Sequence, residues 1–173
     1  MALVPPVRGT FSLVDHHGRA VTDLAYRGRY MLVFFGFTHC RVVCPRALGR
    51  LQQVLKQLGE SAERIKTLYI SVAPERDTPE VMKSFLARDY PDFTGLTGSR
   101  EQVDAAKRSF RVFAARKADR DDPEGYQVPH SAITYLIDPA GVFLTHFHDG
   151  LDADEIAGRL QEIISRAREF DHV

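Results

Sequence analysis

The chain holds two cysteines, Cys40 and Cys44, in the run Phe35-Gly-Phe-Thr-His-Cys40-Arg-Val-Val-Cys44-Pro45. Paired thiols can close a disulfide, exchange one with a partner, or hold a soft metal ion. Side chains four apart on a regular helix have Cβ atoms about 5–6 Å apart, whereas a disulfide wants about 3.8 Å. Pro45 suits a first helical position, which makes Cys44 the expected N-cap and places the four residues before it in a loop. Such a loop can close for a disulfide or open slightly for a metal, and a helix N-terminus favours thiolate. The alternative is a pair of buried cysteines acting as small hydrophobes. Paired cysteines where a strand meets a helix point to redox or metal chemistry instead.

The strand in question is Tyr30 to Phe37, a near-continuous apolar run suited to burial on both faces. Both cysteines follow its C-terminal end, where open α/β sheets form their sites. Before it, Thr10 to Val14 and Ala20 to Thr22 flank the turn signal Asp15-His16-His17-Gly18 and predict a β-hairpin. After it, Leu48, Leu51, Val54, Leu55 and Leu58 recur at helical spacing up to Gly59. Ile65 to Val72 predicts a second buried strand, and Thr78-Pro79 the cap and first turn of a second helix. Arg100 to Phe110 predicts a third helix. Ser131 to Asp138 and Val142 to Phe147 predict a hairpin across Pro139-Ala140-Gly141, and Asp152 to Phe170 a final amphipathic helix. The polar stretch Arg116 to Gln127 reads as a mobile surface loop. The order predicts an α/β fold: a mixed central sheet flanked by helices on both faces, with an N-terminal β-hairpin.

Composition bounds the function. The 173 residues suit a single domain over 1–173 that buries a full core without staples. Lys+Arg and Asp+Glu number 23 each, and the zero net charge argues against a nucleic-acid footprint or a polybasic membrane patch. Two cysteines are too few for a disulfide scaffold. No apolar run approaches the roughly 20 residues of a membrane span. Met1 to Thr10, with two prolines and one basic residue, does not read as a signal peptide.

The segment FFGFTHCRVVCP resembles the Cys-x-x-x-Cys-Pro signature of the SCO/SenC copper proteins, which have a thioredoxin-like fold. Ser71-Val-Ala-Pro-Glu-Arg-Asp-Thr-Pro79 resembles that family's loop after the next strand. Pro129-His130-Ser-Ala-Ile-Thr-Tyr-Leu-Ile-Asp-Pro139 resembles the segment bearing its metal-binding histidine. Gly9-Thr-Phe-Ser-Leu and Arg27-Gly-Arg-Tyr-Met-Leu-Val also fit, so the resemblance covers almost the whole chain. It implies copper, Cu(I) or Cu(II), held by Cys40, Cys44 and His130. Two thiolates and an imidazole suit both oxidation states. Taken alone, a lone histidine such as His130 reads as an ordinary core or surface residue.

Some positions depart from the pattern. Val42, Ala73 and Pro129 stand where the family commonly carries carboxylates, and Arg41 replaces a usual proline. The surroundings are therefore expected to be less acidic, with Arg41 favouring thiolate. Partner docking, metal release and Cu(II) retention are the properties this puts in question. His39 is expected to point away from the site, and His146 and His148 to lie on a solvated edge strand. Arg76 and Asp77 read as an internal ion pair bracing their loop.

The resemblance implies a metallochaperone delivering copper to the binuclear copper centre of cytochrome c oxidase. Its partners would be that oxidase subunit or another copper chaperone, and it would be a monomer. The place would be the periplasm or the mitochondrial intermembrane space, usually with an N-terminal membrane anchor that would lie upstream of Met1. The competing function is a thiol-disulfide oxidoreductase using Cys40 and Cys44 as its redox pair, reducing oxidase-subunit cysteines. A peroxidase-like redoxin could use Thr38 and Arg76, but its two cysteines would lie too close for the usual resolving arrangement.

Overall fold

The structure is a computed structural model that describes residues 6–39, 43–112, 117–119, 122–127 and 133–170. Its frame is a seven-stranded mixed sheet in the order β2-β1-β5-β4-β3-β8-β9. The N-terminal hairpin pairs β1 (Ser12–Asp15) with β2 (Ala20–Thr22). The inner strands are β3 (Tyr30–Gly36), β4 (Ile65–Ser71) and β5 (Phe93–Thr97), parallel to one another. β8 (Ile133–Ile137) runs antiparallel to β3, and β9 (Phe143–His148) closes the far edge.

Every residue of β3 is buried, as its apolar run requires of a strand covered on both faces. Successive side chains alternate between two cores. Leu32 and Phe34 join one with α1 (Val43–Leu58), α2 (Pro79–Asp89) and α4 (Ala153–Phe170). Met31, Val33 and Phe35 join the other with α3 (Arg100–Phe110). The helices thus cover both faces, as the sequence predicts. Thr78 caps α2 by accepting from Val81 N at 3.3 Å, with Pro79 beginning the helix. Ser99 and Gln102 form a reciprocal capping box on α3.

Three expectations need correction. β5 falls in a stretch the sequence assigns to no strand. Gly95 breaks its apolar pattern, yet it is what admits α2: a β-carbon there would meet Leu86 at 2.9 Å. The expected loop Arg116 to Gln127 contains a separate antiparallel ribbon, β6 (Lys117–Asp119) with β7 (Asp122–Gln127), whose polar residues give no alternation signal. Finally, α1 starts at Val43, two residues before Pro45. Proline is tolerated in a first turn because its missing N–H would have no helical partner there.

Candidate metal centre

β3, β4 and β5 all end at one end of the sheet, at Gly36, Ser71 and Thr97. β8 begins at that same end, with Thr134 paired to Phe34. α1 leaves from beyond the end of β3 and carries Cys44 in its first turn.

Cys44 is therefore a helical residue rather than the expected N-cap, and its side chain is 1% exposed rather than set at an open edge. The cause lies in Gly36. A β-carbon on Gly36 would stand 2.6 Å from the Cys44 sulfur and 2.9 Å from the Tyr69 hydroxyl. The missing side chain leaves the space that the sulfur and phenol fill. Tyr69 stacks on Phe34 with ring centroids 6.2 Å apart, and Phe85 and Tyr90 extend the aromatic wall. Burial pushes the Tyr90 phenol up, with Asp89 and then Cys44 adding to it. A soft sulfur backed by aromatic rings and shielded from water suits copper, particularly Cu(I).

Of the expected ligands Cys40, Cys44 and His130, Cys44 is the one described. Cys40 and His130, with Arg41, Val42 and Pro129, lie outside the described residues. Among the described residues no three Cys, His, Asp or Glu side chains gather as a metal site.

Asp77 braces the loop that leads toward Cys40. Its fully buried carboxylate accepts from Thr38 N at 3.1 Å, Thr38 Oγ1 at 2.5 Å and Ser71 Oγ at 2.7 Å. Thr97 Oγ1 donates to its backbone oxygen at 2.6 Å. The bracing expected of an Arg76–Asp77 ion pair is thus made by Asp77 with hydroxyls and an amide. Glu75 pairs with Arg100 of α3, which also donates to Val72 O at 3.3 Å. Ala73 is buried at the turn, its N–H held by Ser71 Oγ at 3.0 Å.

The histidines divide. His39 is exposed, with Nδ1 3.3 Å from Thr38 Oγ1. His146 and His148 are exposed on the edge strand β9, as their alternation implies. His16, expected only to turn the chain, accepts from Gly95 N at 2.9 Å and so ties the hairpin to β5. A further tie escaped the sequence. Asp149 pairs with Arg46 and, at 3.1 Å, with Arg50, fastening the turn after β9 to the first turns of α1. Arg46 and Asp149 are 103 positions apart, so no local pattern announces the contact.

Comparison with known proteins agrees with this architecture. A family model described as SCO1/SenC matches residues 2–165. The human "Protein SCO1 homolog, mitochondrial" is 39% identical over 158 residues, covering 90% of this chain and 52% of that protein. The chain thus spans about half the length of that relative. Bradyrhizobium japonicum ScoI, solved with copper bound, matches with a TM-score of 0.80 at 37% identity, over 91% of this chain and 99% of that one. Arabidopsis thaliana ScoI, also solved with copper bound, gives a TM-score of 0.83 at 30% identity, over 95% and 99%. The fold is the thioredoxin-like fold of these Sco proteins.

Proposed function

The chain belongs to the SCO1/SenC family, and from that premise we propose that it is a copper metallochaperone. It delivers copper to the binuclear copper centre during cytochrome c oxidase assembly. Cys40, Cys44 and His130 hold the cargo, two thiolates and an imidazole that suit Cu(I) and Cu(II). The observation that carries the reading is a register. Thr134 pairs with Phe34, so β8 begins beside the end of β3, the same end from which α1 carries Cys44. His130 precedes Ile133 by three residues, a span of at most about 11 Å. Two solved relatives, at 37% and 30% identity, carry copper.

In this reading Gly36, Tyr69 and the aromatic wall keep water from the Cys44 sulfur, while Asp77 holds the loop entering Cys40. The partners are the copper-centre subunit of the oxidase or another copper chaperone. The setting is the periplasm or mitochondrial intermembrane space, with a membrane anchor in the full-length protein.

Anaerobic Cu(I) titration of the reduced protein against a competing chelator tests the proposal, with His130→Ala and Cys44→Ser beside wild type. Loss of a ligand is expected to weaken binding by at least about tenfold. Unchanged affinity in His130→Ala, with dithiol exchange intact, would instead establish the thiol-disulfide oxidoreductase acting through Cys40 and Cys44.

A further inference from the structure

Where β3, β4 and β5 begin, opposite the end that carries Gly36, Ser71 and Thr97, a cleft of about 520 Å³ opens beside the last turns of α1. Arg29, Lys56 and Lys66 line it, with Glu63 and Asp92. Neither of these carboxylates forms an ion pair with any of the three cations, and among the described residues no other carboxylate does. Arg27, Arg50 and Arg100 show the contrast, each paired with an Asp or Glu. Arg29 is held in place by its Nε, which donates to Glu63 O at 3.0 Å. That bond leaves the two Nη groups, the fork that matches an oxyanion, for a ligand. Lys66 is half-buried on β4, and burial, with Arg29 adding to it, holds its amine below the usual lysine range. An anion between Lys66 and Arg29 turns their mutual repulsion into attraction.

The walls of the cleft are fixed. Gln52 Nε2 donates to Asp89 O at 2.7 Å, tying α1 to the end of α2, and Thr67 Oγ1 donates to Asp92 O at 3.0 Å. Leu55 and Ile65 give it an apolar side, which strengthens a charge pair by lowering the local dielectric. Glu63 and Asp92 are exposed, so water screens their repulsion of an anion more than it screens the attraction of half-buried Lys66.

We propose that this cleft is a binding site for a phosphate group, free or esterified, held by the Arg29 fork and the ammonium groups of Lys66 and Lys56. A phosphate presents oxygens in three dimensions to a planar guanidinium and two ammonium groups, whereas a carboxylate presents two oxygens in one plane. The volume lies within the range of small-ligand clefts, about 300–1,000 Å³, enough for a phosphate together with the organic group it carries. The site is remote from Cys44 and independent of the copper reading. The phosphate has two sources, a soluble anion or the headgroup of an anionic phospholipid.

Calorimetric titration with inorganic phosphate, at constant ionic strength set with chloride, reads the first source. Co-sedimentation with phosphatidylglycerol vesicles, against phosphatidylcholine vesicles, reads the second. Binding is expected in at least one arm, weakened about tenfold by Arg29→Gln and by Lys66→Gln, as loss of a charge-assisted hydrogen bond implies. Lys66→Arg keeps the charge and is expected to retain the binding that Lys66→Gln loses. Arg108→Gln makes the same change of charge on α3, across the sheet, and is expected to bind as wild type does. Melting in chloride alone should be near wild type for all four variants, since none of these cations has a carboxylate partner to lose. Weakening in the soluble arm identifies free phosphate as a ligand, and weakening in the vesicle arm identifies the headgroup. A wild type that binds in neither arm overturns the site. So does binding that Arg29→Gln and Lys66→Gln leave unchanged, or that Arg108→Gln weakens equally.

Discussion

Gly36 and Cys44 meet so closely that no other residue fits at position 36: an added β-carbon would stand 2.6 Å from the thiol sulfur. The same carbon would approach the Tyr69 ring and hydroxyl at 2.9 Å each. Neither neighbour is the loose end of an exposed side chain, since Tyr69 and Cys44 are both buried. Gly36→Ala must therefore displace the sulfur or the phenol. The expected cost is about 1–3 kcal/mol in urea unfolding, typical of an overpacked core. Copper affinity should fall with it, because the displaced atom is a proposed ligand. A variant that unfolds and binds as wild type does would show that the contact is not constraining.

The contrast between what the sequence revealed and what it hid has a physical basis. The run Tyr30 to Phe37 announced β3 because burial on both faces leaves a near-continuous apolar stretch, and Thr78-Pro79 announced α2 because cap chemistry is local. The Cys-x-x-x-Cys-Pro run and His130 pointed to a candidate copper site. Cys44's burial was hidden because it depends on an absent side chain at Gly36, eight residues earlier and on another element. Asp77 was taken for an ion-pair partner because charge is visible in a sequence, whereas the hydroxyls of Thr38 and Ser71 that meet it are common residues with no signature. The pairing of Asp149 with Arg50 joins positions 99 apart and follows from topology alone.

His16 makes stability pH-dependent in a predictable direction. Burial is the main cause that lowers its pKa below the ordinary 6.5, with His17 adding to the effect. Its Nδ1 accepts the Gly95 N–H, a bond that only the ring unprotonated at Nδ1 can make. A folded-state pKa below the unfolded one means that the neutral ring stabilises the fold. That contribution is present above about pH 6.5 and is lost as pH falls through the lower folded value. Asp15, also lowered, acts in the same sense below its ordinary 3.8: burial, the largest cause, raises it, but the N–H groups of Arg19 and His17 together with the charges of those two side chains outweigh it. Thermal melts between pH 8 and 5 should lose Tm more steeply for wild type than for His16→Asn, whose amide oxygen can accept the same N–H. Parallel slopes would remove His16 from the account.

The Asp149 tie predicts a salt-sensitive effect at the cysteine-bearing end of α1. Asp149→Asn removes the charge that holds both Arg46 and Arg50. Arg46 is 51% exposed, so its share is small, and the whole substitution is expected to cost about 1 kcal/mol. The difference should shrink at 1 M salt, where screening weakens the wild-type pairs. Because the pairs fasten the turn of helix that follows Cys44, the variant should also alkylate faster at that thiol, as read by mass spectrometry. Equal unfolding at low salt together with equal alkylation would count against the tie.

Asp77 offers the sharpest separation between charge and shape. Removing its carboxylate in Asp77→Ala leaves Thr38 N, Thr38 Oγ1 and Ser71 Oγ without their acceptor, at a position with no solvent exposure. Buried donors left unsatisfied cost about 1–3 kcal/mol apiece, and because they share one acceptor their losses do not add. The expected loss is about 3 kcal/mol in urea unfolding, with faster proteolysis at the loop around Thr38. Asp77→Asn keeps one accepting oxygen for Thr38 Oγ1, while its amide takes the place of Oδ2, where Ser71 Oγ can turn from donor to acceptor but the Thr38 N–H loses its acceptor. That variant should retain roughly half of the stability lost by alanine. Thr97→Val provides the control: its hydroxyl reaches only the Asp77 backbone oxygen, so its loss should cost about 1 kcal/mol without loosening the Thr38 loop. If Asp77→Ala unfolds no more readily than Thr97→Val, the carboxylate is not the brace and the loop is held by its backbone alone.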